Sequence, residues 1–291
     1  MQSWRTLSRP ELDRAYSARG TVPGSDISPF MAEYAGESQT ARRTLECREN
    51  VAYGPGTEEY FDFFPAKGTN APLHVFIHGG YWRALSAKES AVGARGMVHA
   101  GAAYAAVNYA LCPTVSLSEI VRQCRAAIAH LYTQAGEFGI DRDRIFVSGS
   151  SAGGHLVGMM LAGDGWETTF GLPQGVVKGG VAVSGLFDLE PVSHCEVNDW
   201  VRMDAAEARR MSPIHALAPH GRPLVTAWGE TETAEFKRQS LDYAARWVEA
   251  GGGLDAFEVP GSNHFNIIMD LGRPGTRLGA AALRQMGLAN R

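Results

Sequence analysis

The strongest constraint on this chain lies at residues 144–161. Arg144-Ile145-Phe146-Val147-Ser148 is a short β-branched and aromatic run of buried-strand type. His155-Leu156-Val157-Gly158-Met159-Met160-Leu161 continues as an apolar helix. Only small residues separate the two, so strand must pass into helix through a sharp turn. The spacing there is G-x-S-x-G, on Gly149, Ser151 and Gly153. At the apex of such a turn a serine stands clear of the backbone with a helix N-terminus behind it, the arrangement of a nucleophile elbow. The same letters also suit a tight turn without chemistry. The rest of the chain has to separate these readings.

Strands and helices alternate on both sides of the turn. Residues 73–77, 102–109, 176–183, 223–228 and 254–259 read as strands, with helices expected at 88–100, 118–138, 234–249 and 280–288. Ahead of them, residues 1–48 look helical, with a helix start at Ser28-Pro29. Residues 49–53 and 59–64 read as two short strands joined through Gly54-Pro55-Gly56. This alternation implies a mainly parallel sheet with helices on both faces, one α/β domain over residues 1–291. Residues 187–220, with Pro191, Pro213 and Arg209-Arg210, read as a cap-like insertion over the sheet edge. In open α/β sheets the reactive groups gather just beyond the C-terminal ends of the strands.

Three loops meet that condition besides the elbow. His78-Gly79-Gly80-Tyr81-Trp82 follows the strand at 73–77. Glycines there let backbone N–H groups approach a carbonyl oxygen that gains charge during acyl transfer. Gly79 and Gly80, with Ala152, are the expected oxyanion donors. Gly229-Glu230-Thr231-Glu232-Thr233 follows a late strand, where a carboxylate could orient a histidine. Glu230 and Glu232 alternate onto one side of an extended loop, so geometry leaves both open, and Asp188 after the preceding strand is a third candidate. Pro260-Gly261-Ser262-Asn263-His264 places His264 beyond the last strand. Serine, carboxylate, histidine is the chain order of α/β-hydrolases, and Ser151 needs such a base to act as a nucleophile.

Composition narrows the alternatives. Hydrophobic residues make up 45% and charged residues 20% of the 291, enough apolar surface for a sizeable core. With 27 basic and 31 acidic residues, a formal net charge of −4 and no Lys/Arg-rich run, a nucleic-acid partner is not expected. Met1-Gln2-Ser3-Trp4-Arg5 has no signal-peptide character and no apolar stretch suits a membrane span, so a cytoplasmic protein is expected. The four cysteines are scattered and read as buried free thiols. Nucleotide-binding glycine motifs and H-E-x-x-H are absent. His74 and His78 would stand about 13 Å apart along a strand, too far for one metal. No metal and no organic cofactor is expected.

His78-Gly79-Gly80-Tyr81-Trp82 resembles the HGGxW signature of the arylformamidase (kynurenine formamidase) family, on the esterase/lipase side of the α/β-hydrolase fold. The resemblance covers most of the chain. It takes in Tyr60-Phe61-Asp62-Phe63-Phe64-Pro65, Ser151-Ala152-Gly153-Gly154-His155-Leu156, Ser184-Gly185-Leu186-Phe187-Asp188-Leu189-Glu190-Pro191, Met211-Ser212-Pro213, Glu235-Phe236-Lys237-Arg238-Gln239-Ser240 and His264-Phe265. It implies Glu232 as the acid, since the family's acid, usually Asp, lies just before the segment matching 235–240. Ser150 stands where many relatives have His. It further implies cleavage of an N-formyl arylamine such as N-formylkynurenine to formate and the aryl amine. Tyr81, Trp82 and the segment around Asn198 become expected walls of an aryl pocket. The partner is then a small aryl formamide or ester, with a homodimer also conceivable. A broad carboxylesterase would use the same residues, and a silent binding protein on this fold is the non-enzymatic alternative.

Overall fold

The apolar runs pair into a sheet of eight strands in the computed structural model, which describes residues 4–219 and 221–288. The expected N-terminal tripeptide and His220 at the end of the expected cap lie outside the described residues. The strands are β1 (Arg48–Ala52), β2 (Tyr60–Phe64), β3 (Ala71–Ile77), β4 (Ala103–Val107), β5 (Ile140–Ser150), β6 (Val177–Val183), β7 (Pro223–Gly229) and β8 (Gly253–Val259). Their spatial order is β1-β2-β4-β3-β5-β6-β7-β8. β2 runs antiparallel to β1 and β4, and the pairings from β4 across to β8 are parallel.

Helices fill the crossovers. α1 (Arg9–Ala15) and α2 (Ser28–Thr44) precede the sheet, and α3 (Ala94–His99) joins β3 to β4. α4 (Leu117–Thr133) and α5 (Ala135–Phe138) join β4 to β5; α6 (Ala152–Met160) and α7 (Trp166–Thr169) join β5 to β6. α8 (Asn198–Val201) and α9 (Ala205–Arg210) lie between β6 and β7, α10 (Ala234–Glu249) between β7 and β8, and α11 (Arg277–Gln285) follows. No helix among the described residues is long and apolar enough to cross a membrane.

Alternation along the strands creates two cores. Leu73, Val75 and Ile77 of β3 pack with Ile120, Leu156 and Trp247, from α4, α6 and α10. Phe76 and Tyr104 turn to the other face, with Ala41, Met97 and Leu278 of α2, α3 and α11. Both faces are therefore covered, as the unbroken apolar strands require.

Two helices are shorter than their patterns suggest. The run at 88–100 divides into a turn at Ala87–Glu89 and α3. Ser86 and Glu89 form a capping box, and the Ala91 N–H donates to Ser38 Oγ at 3.0 Å instead of to a helical carbonyl. The run at 118–138 breaks at Gln134 into α4 and α5. Residues 187–219 are a string of short helical pieces rather than a layer of their own.

His74, His78 and His155 are buried, and burial lowers them to about 3, about 4 and about 4. Their folded values lie below the unfolded one, so the unfolded chain takes up protons first as pH falls. Stability is intact above pH about 6.5 and should fall as pH drops from there through about 4. Thermal unfolding across that window is expected to show a steady loss of Tm; a flat Tm would contradict neutral burial of these rings.

Candidate active site

Strand register brings the four loops together. Ile77 lies opposite Gly149, Ser150 opposite Val183, Val183 opposite Ala227, and Gly229 opposite Val259. The loops that follow these residues therefore emerge side by side. Backbone bonds continue the sheet one step further, from Ser151 N–H to Val183 O at 2.8 Å and from Ser184 N–H to Ala227 O at 2.8 Å.

Ser151 sits at φ 59°, ψ −122°, a region that non-glycine residues rarely occupy and that costs on the order of 1–3 kcal/mol. Its neighbours explain how the conformation survives. A Cβ on Gly149 would lie 2.5 Å from Gly153 O and 2.6 Å from Ile77 O. A Cβ on Gly153 would strike the Ile77 carbonyl. The elbow thus packs backbone against backbone, and α6 begins directly behind the serine.

His264 is buried and donates from Nδ1 to Glu232 Oε2 at 3.0 Å. Glu232 is also buried, and its Oε1 accepts from the Ser184 hydroxyl and from Gly229 N–H at 2.8 Å. With Nδ1 protonated, Nε2 of His264 is a bare acceptor, and it has no hydrogen-bond partner. Phe236 lies against the imidazole with ring centroids 4.4 Å apart. The two glutamates left open by the sequence differ sharply in place. Glu230 is exposed and accepts from Gly261 N–H at 2.7 Å. Asp188 accepts from Glu190 N–H at 3.1 Å, within its own turn.

The glycine loop is held from behind. His78 donates from Nδ1 to Gly79 O at 3.0 Å, and Tyr109 Oη donates to His78 O at 2.8 Å. The two rings stack at 4.0 Å. Because a trans peptide points its C=O and N–H in opposite directions, fixing Gly79 O aims Gly80 N–H away from that support. Among the described residues, the N–H groups of Gly79, Gly80 and Ala152 have no acceptor. A Cβ on Gly79 would lie 2.6 Å from Ser150 O, so the close approach of the two loops requires glycine.

Ser151, His264, Gly79 and Gly80 all line one cavity of about 240 Å³. Tyr81 and Trp200 form part of its wall, and Tyr16, Met31 and Tyr34 of the N-terminal segment form another part. Two expected wall residues lie elsewhere. Trp82 is fully buried among core residues with its ring perpendicular to that of His155, because positive φ at Gly80, Tyr81 and Trp82 turns it inward. Asn198 spends its side chain on the backbone of Ser193 and Met203; its neighbours Val197 and Trp200 reach the cavity instead. The N-terminal wall carried no sequence signal, since its residues have no reactive spacing. Ser184 did carry one: it follows an apolar strand, as the other loops do.

The residues 62–217 match the BD-FAE family model. A kynurenine formamidase of Salmo salar is 30% identical over 99% of this chain and 99% of its own length. The chain belongs to the kynurenine formamidase family. A Danio rerio kynurenine formamidase is 29% identical, covering 93% of this chain and 94% of its own. Among solved structures, a Silicibacter sp. protein provisionally titled a thioesterase superposes with a TM-score of 0.80 at 32% identity, over 93% of this chain and 98% of that one. A Pyrobaculum calidifontis esterase, 19% identical over 97% and 98%, has a TM-score of 0.71 and shows the shared α/β-hydrolase fold.

The family's fold thus places a buried imidazole between a carboxylate and the cavity. A proton NMR spectrum in water is expected to show a downfield His264 Nδ1–H resonance. It should persist in Glu230→Gln and shift strongly upfield or vanish in Glu232→Gln; the reverse pattern would contradict the pairing.

Proposed function

We propose that this chain is a serine hydrolase that cleaves N-formyl arylamines such as N-formylkynurenine, releasing formate and the free aryl amine. One observation carries the mechanism: His264, bonded through Nδ1 to Glu232 and with an Nε2 that has no partner among the described residues, lines the same cavity as Ser151. The choice of substrate follows the end-to-end likeness to the kynurenine formamidases.

In this reading Nε2 of His264 takes the Ser151 Oγ proton as Oγ bonds to the formyl carbon. The carbonyl oxygen becomes an oxyanion, held by the N–H groups of Gly79, Gly80 and Ala152. The imidazolium, stabilised by Glu232, then protonates the aryl nitrogen as the C–N bond breaks and the amine leaves. Water, deprotonated by His264, attacks the formyl ester, and formate departs as Ser151 recovers its proton. The Ser184 hydroxyl and the Gly229 N–H, both bonded to Glu232 Oε1, hold its carboxylate with Oε2 on His264.

A carboxylesterase reading shares every step except protonation of nitrogen, and an esterase of Mycobacterium tuberculosis, 26% identical over 81% of this chain, gives it support. The kinetics of Ser151→Ala, Glu232→Gln and Gly79→Ala on N-formylkynurenine test the assignment. Ser151→Ala should lower kcat by more than about 10³-fold. Gly79→Ala keeps the N–H but sets a Cβ 2.6 Å from Ser150 O, so it should push the donor out of place and cost about 100-fold, the loss seen when one oxyanion donor is missing. Glu232→Gln should cost far more than Glu230→Gln. Turnover of p-nitrophenyl acetate without any turnover of N-formylkynurenine would replace the formamidase reading by the esterase one.

A further inference from the structure

The cavity carries charge in a particular arrangement. Arg83 lines it from an exposed position, three residues beyond Gly80 in the glycine loop. Its N–H donates to Gly80 O at 3.1 Å, so the turn that bears Gly80 also fixes the root of this side chain. The guanidinium lies over the Trp200 ring, 3.6 Å from its centroid. Trp200 is itself fixed, since its Nε1 donates to Tyr81 O at 3.0 Å. A guanidinium flat on an indole keeps its in-plane donors free to form a bidentate pair with a carboxylate. Among the described residues no carboxylate pairs with Arg83.

A carboxylate also lines the cavity. Glu196 lines the cavity just ahead of α8, and its side chain joins no ion pair among the described residues. The remaining charged groups of the lining differ. Glu89 already accepts from Ser86 Oγ at 2.8 Å and Ser86 N–H at 3.1 Å. Arg19 lies over no aromatic ring among the described residues. The cavity therefore offers one cation held on an aromatic ring and, in Glu196, one carboxylate whose side chain has no partner among the described residues, together with the Ser151–His264 edge. That pattern complements a zwitterion rather than a plain acyl chain.

We propose that the cavity reads an α-amino-acid head group on its substrate, with Arg83 binding the carboxylate and Glu196 the ammonium. This rests on the formamidase reading of the site and adds the residues that select among aryl formamides. Arg83 touches no reacting atom; it sets which aryl formamide is bound and how its formyl group meets Ser151.

The test compares N-formylkynurenine with 2-formamidoacetophenone, which keeps the aryl formamide and ketone but lacks the amino-acid group. Arg83→Gln is expected to lower kcat/KM for N-formylkynurenine about 10- to 100-fold, mainly through KM, the range for a hydrogen bond to a charged group. For 2-formamidoacetophenone it should change kcat/KM less than about twofold. Arg83→Lys should recover part of the loss, because a point charge replaces the fork. Glu196→Gln should weaken N-formylkynurenine but not its analogue without the α-amino group. Equal losses on the two formamides, or none on either, would overturn the proposal. If the unmodified protein cleaves neither formamide, the formamidase reading fails, and the Arg83 role is then read on esters. Selective loss on mono-p-nitrophenyl glutarate relative to p-nitrophenyl butyrate would sustain carboxylate reading by Arg83; equal loss would overturn it.

Discussion

The site depends on one backbone constraint, the left-handed turn at Ser151. That conformation is unfavourable alone, and it persists because β5 and α6 meet with no side chain between them. Ile77, Gly149 and Gly153 bring carbonyl and Cα groups to contact distances that a Cβ would prohibit. The turn lifts Ser151 onto the cavity and starts α6 behind it, while Ser151 N–H remains tied to β6. The strained residue and the sheet register are therefore one device. Register sets where β3, β5, β6, β7 and β8 end, and those ends set where the serine, the carboxylate and the imidazole can meet.

A second layer secures the loops from outside the sheet. Tyr16 Oη donates to Glu235 Oε2 at 2.8 Å, and Arg238 pairs with the same carboxylate at 2.8 Å. Gln239 bonds both Tyr16 Oη and Asp188 O, which joins the N-terminal segment to the loop after β6. Thr231 donates to Thr21 O at 3.0 Å, and Thr21 Oγ1 accepts from His264 N–H at 3.3 Å. Tyr81 Oη donates to Tyr16 O at 2.6 Å. The segment that walls the cavity is thus bonded to the glycine, carboxylate and histidine loops together. The stretch Glu235-Phe236-Lys237-Arg238-Gln239-Ser240, which in the sequence only marked a family resemblance, has a physical task in this brace: Phe236 backs His264, while Glu235, Arg238 and Gln239 hold Tyr16.

The strands and the elbow were legible because each rests on local chemistry. Continuous apolar runs, buried on both faces, wrote the central strands into the sequence, and small residues between a strand and a helix wrote the turn. The place of Glu232 was not legible from spacing, since Glu230 and Glu232 point alike in an extended loop. A tight turn at Gly229 instead folds Glu232 back onto Gly229 N–H and Ser184, and leaves Glu230 outside on Gly261. Trp82 and Asn198 were misplaced for related reasons. An aromatic beside a glycine loop reads as a wall, but three successive positive φ angles send Trp82 into the core and give the wall to Tyr81. The segment around Asn198 does reach the cavity, through Val197 and Trp200, while Asn198 itself serves the backbone of its own loop. The N-terminal wall is a purely tertiary feature. Its residues meet the cavity because the N-terminal segment docks on parts of the chain far along the sequence, with Tyr16 bonded to Tyr81 and, 219 positions on, to Glu235.

In the proposed mechanism the strained serine at the elbow is the nucleophile, activated by His264. Labelling the intact protein with a fluorophosphonate and mapping the adduct by peptide mass spectrometry tests it most directly. A single adduct is expected, on Ser151, formed at least about 10³-fold more slowly in His264→Ala. An adduct on another residue, or labelling of Ser151 that is indifferent to His264, would contradict it.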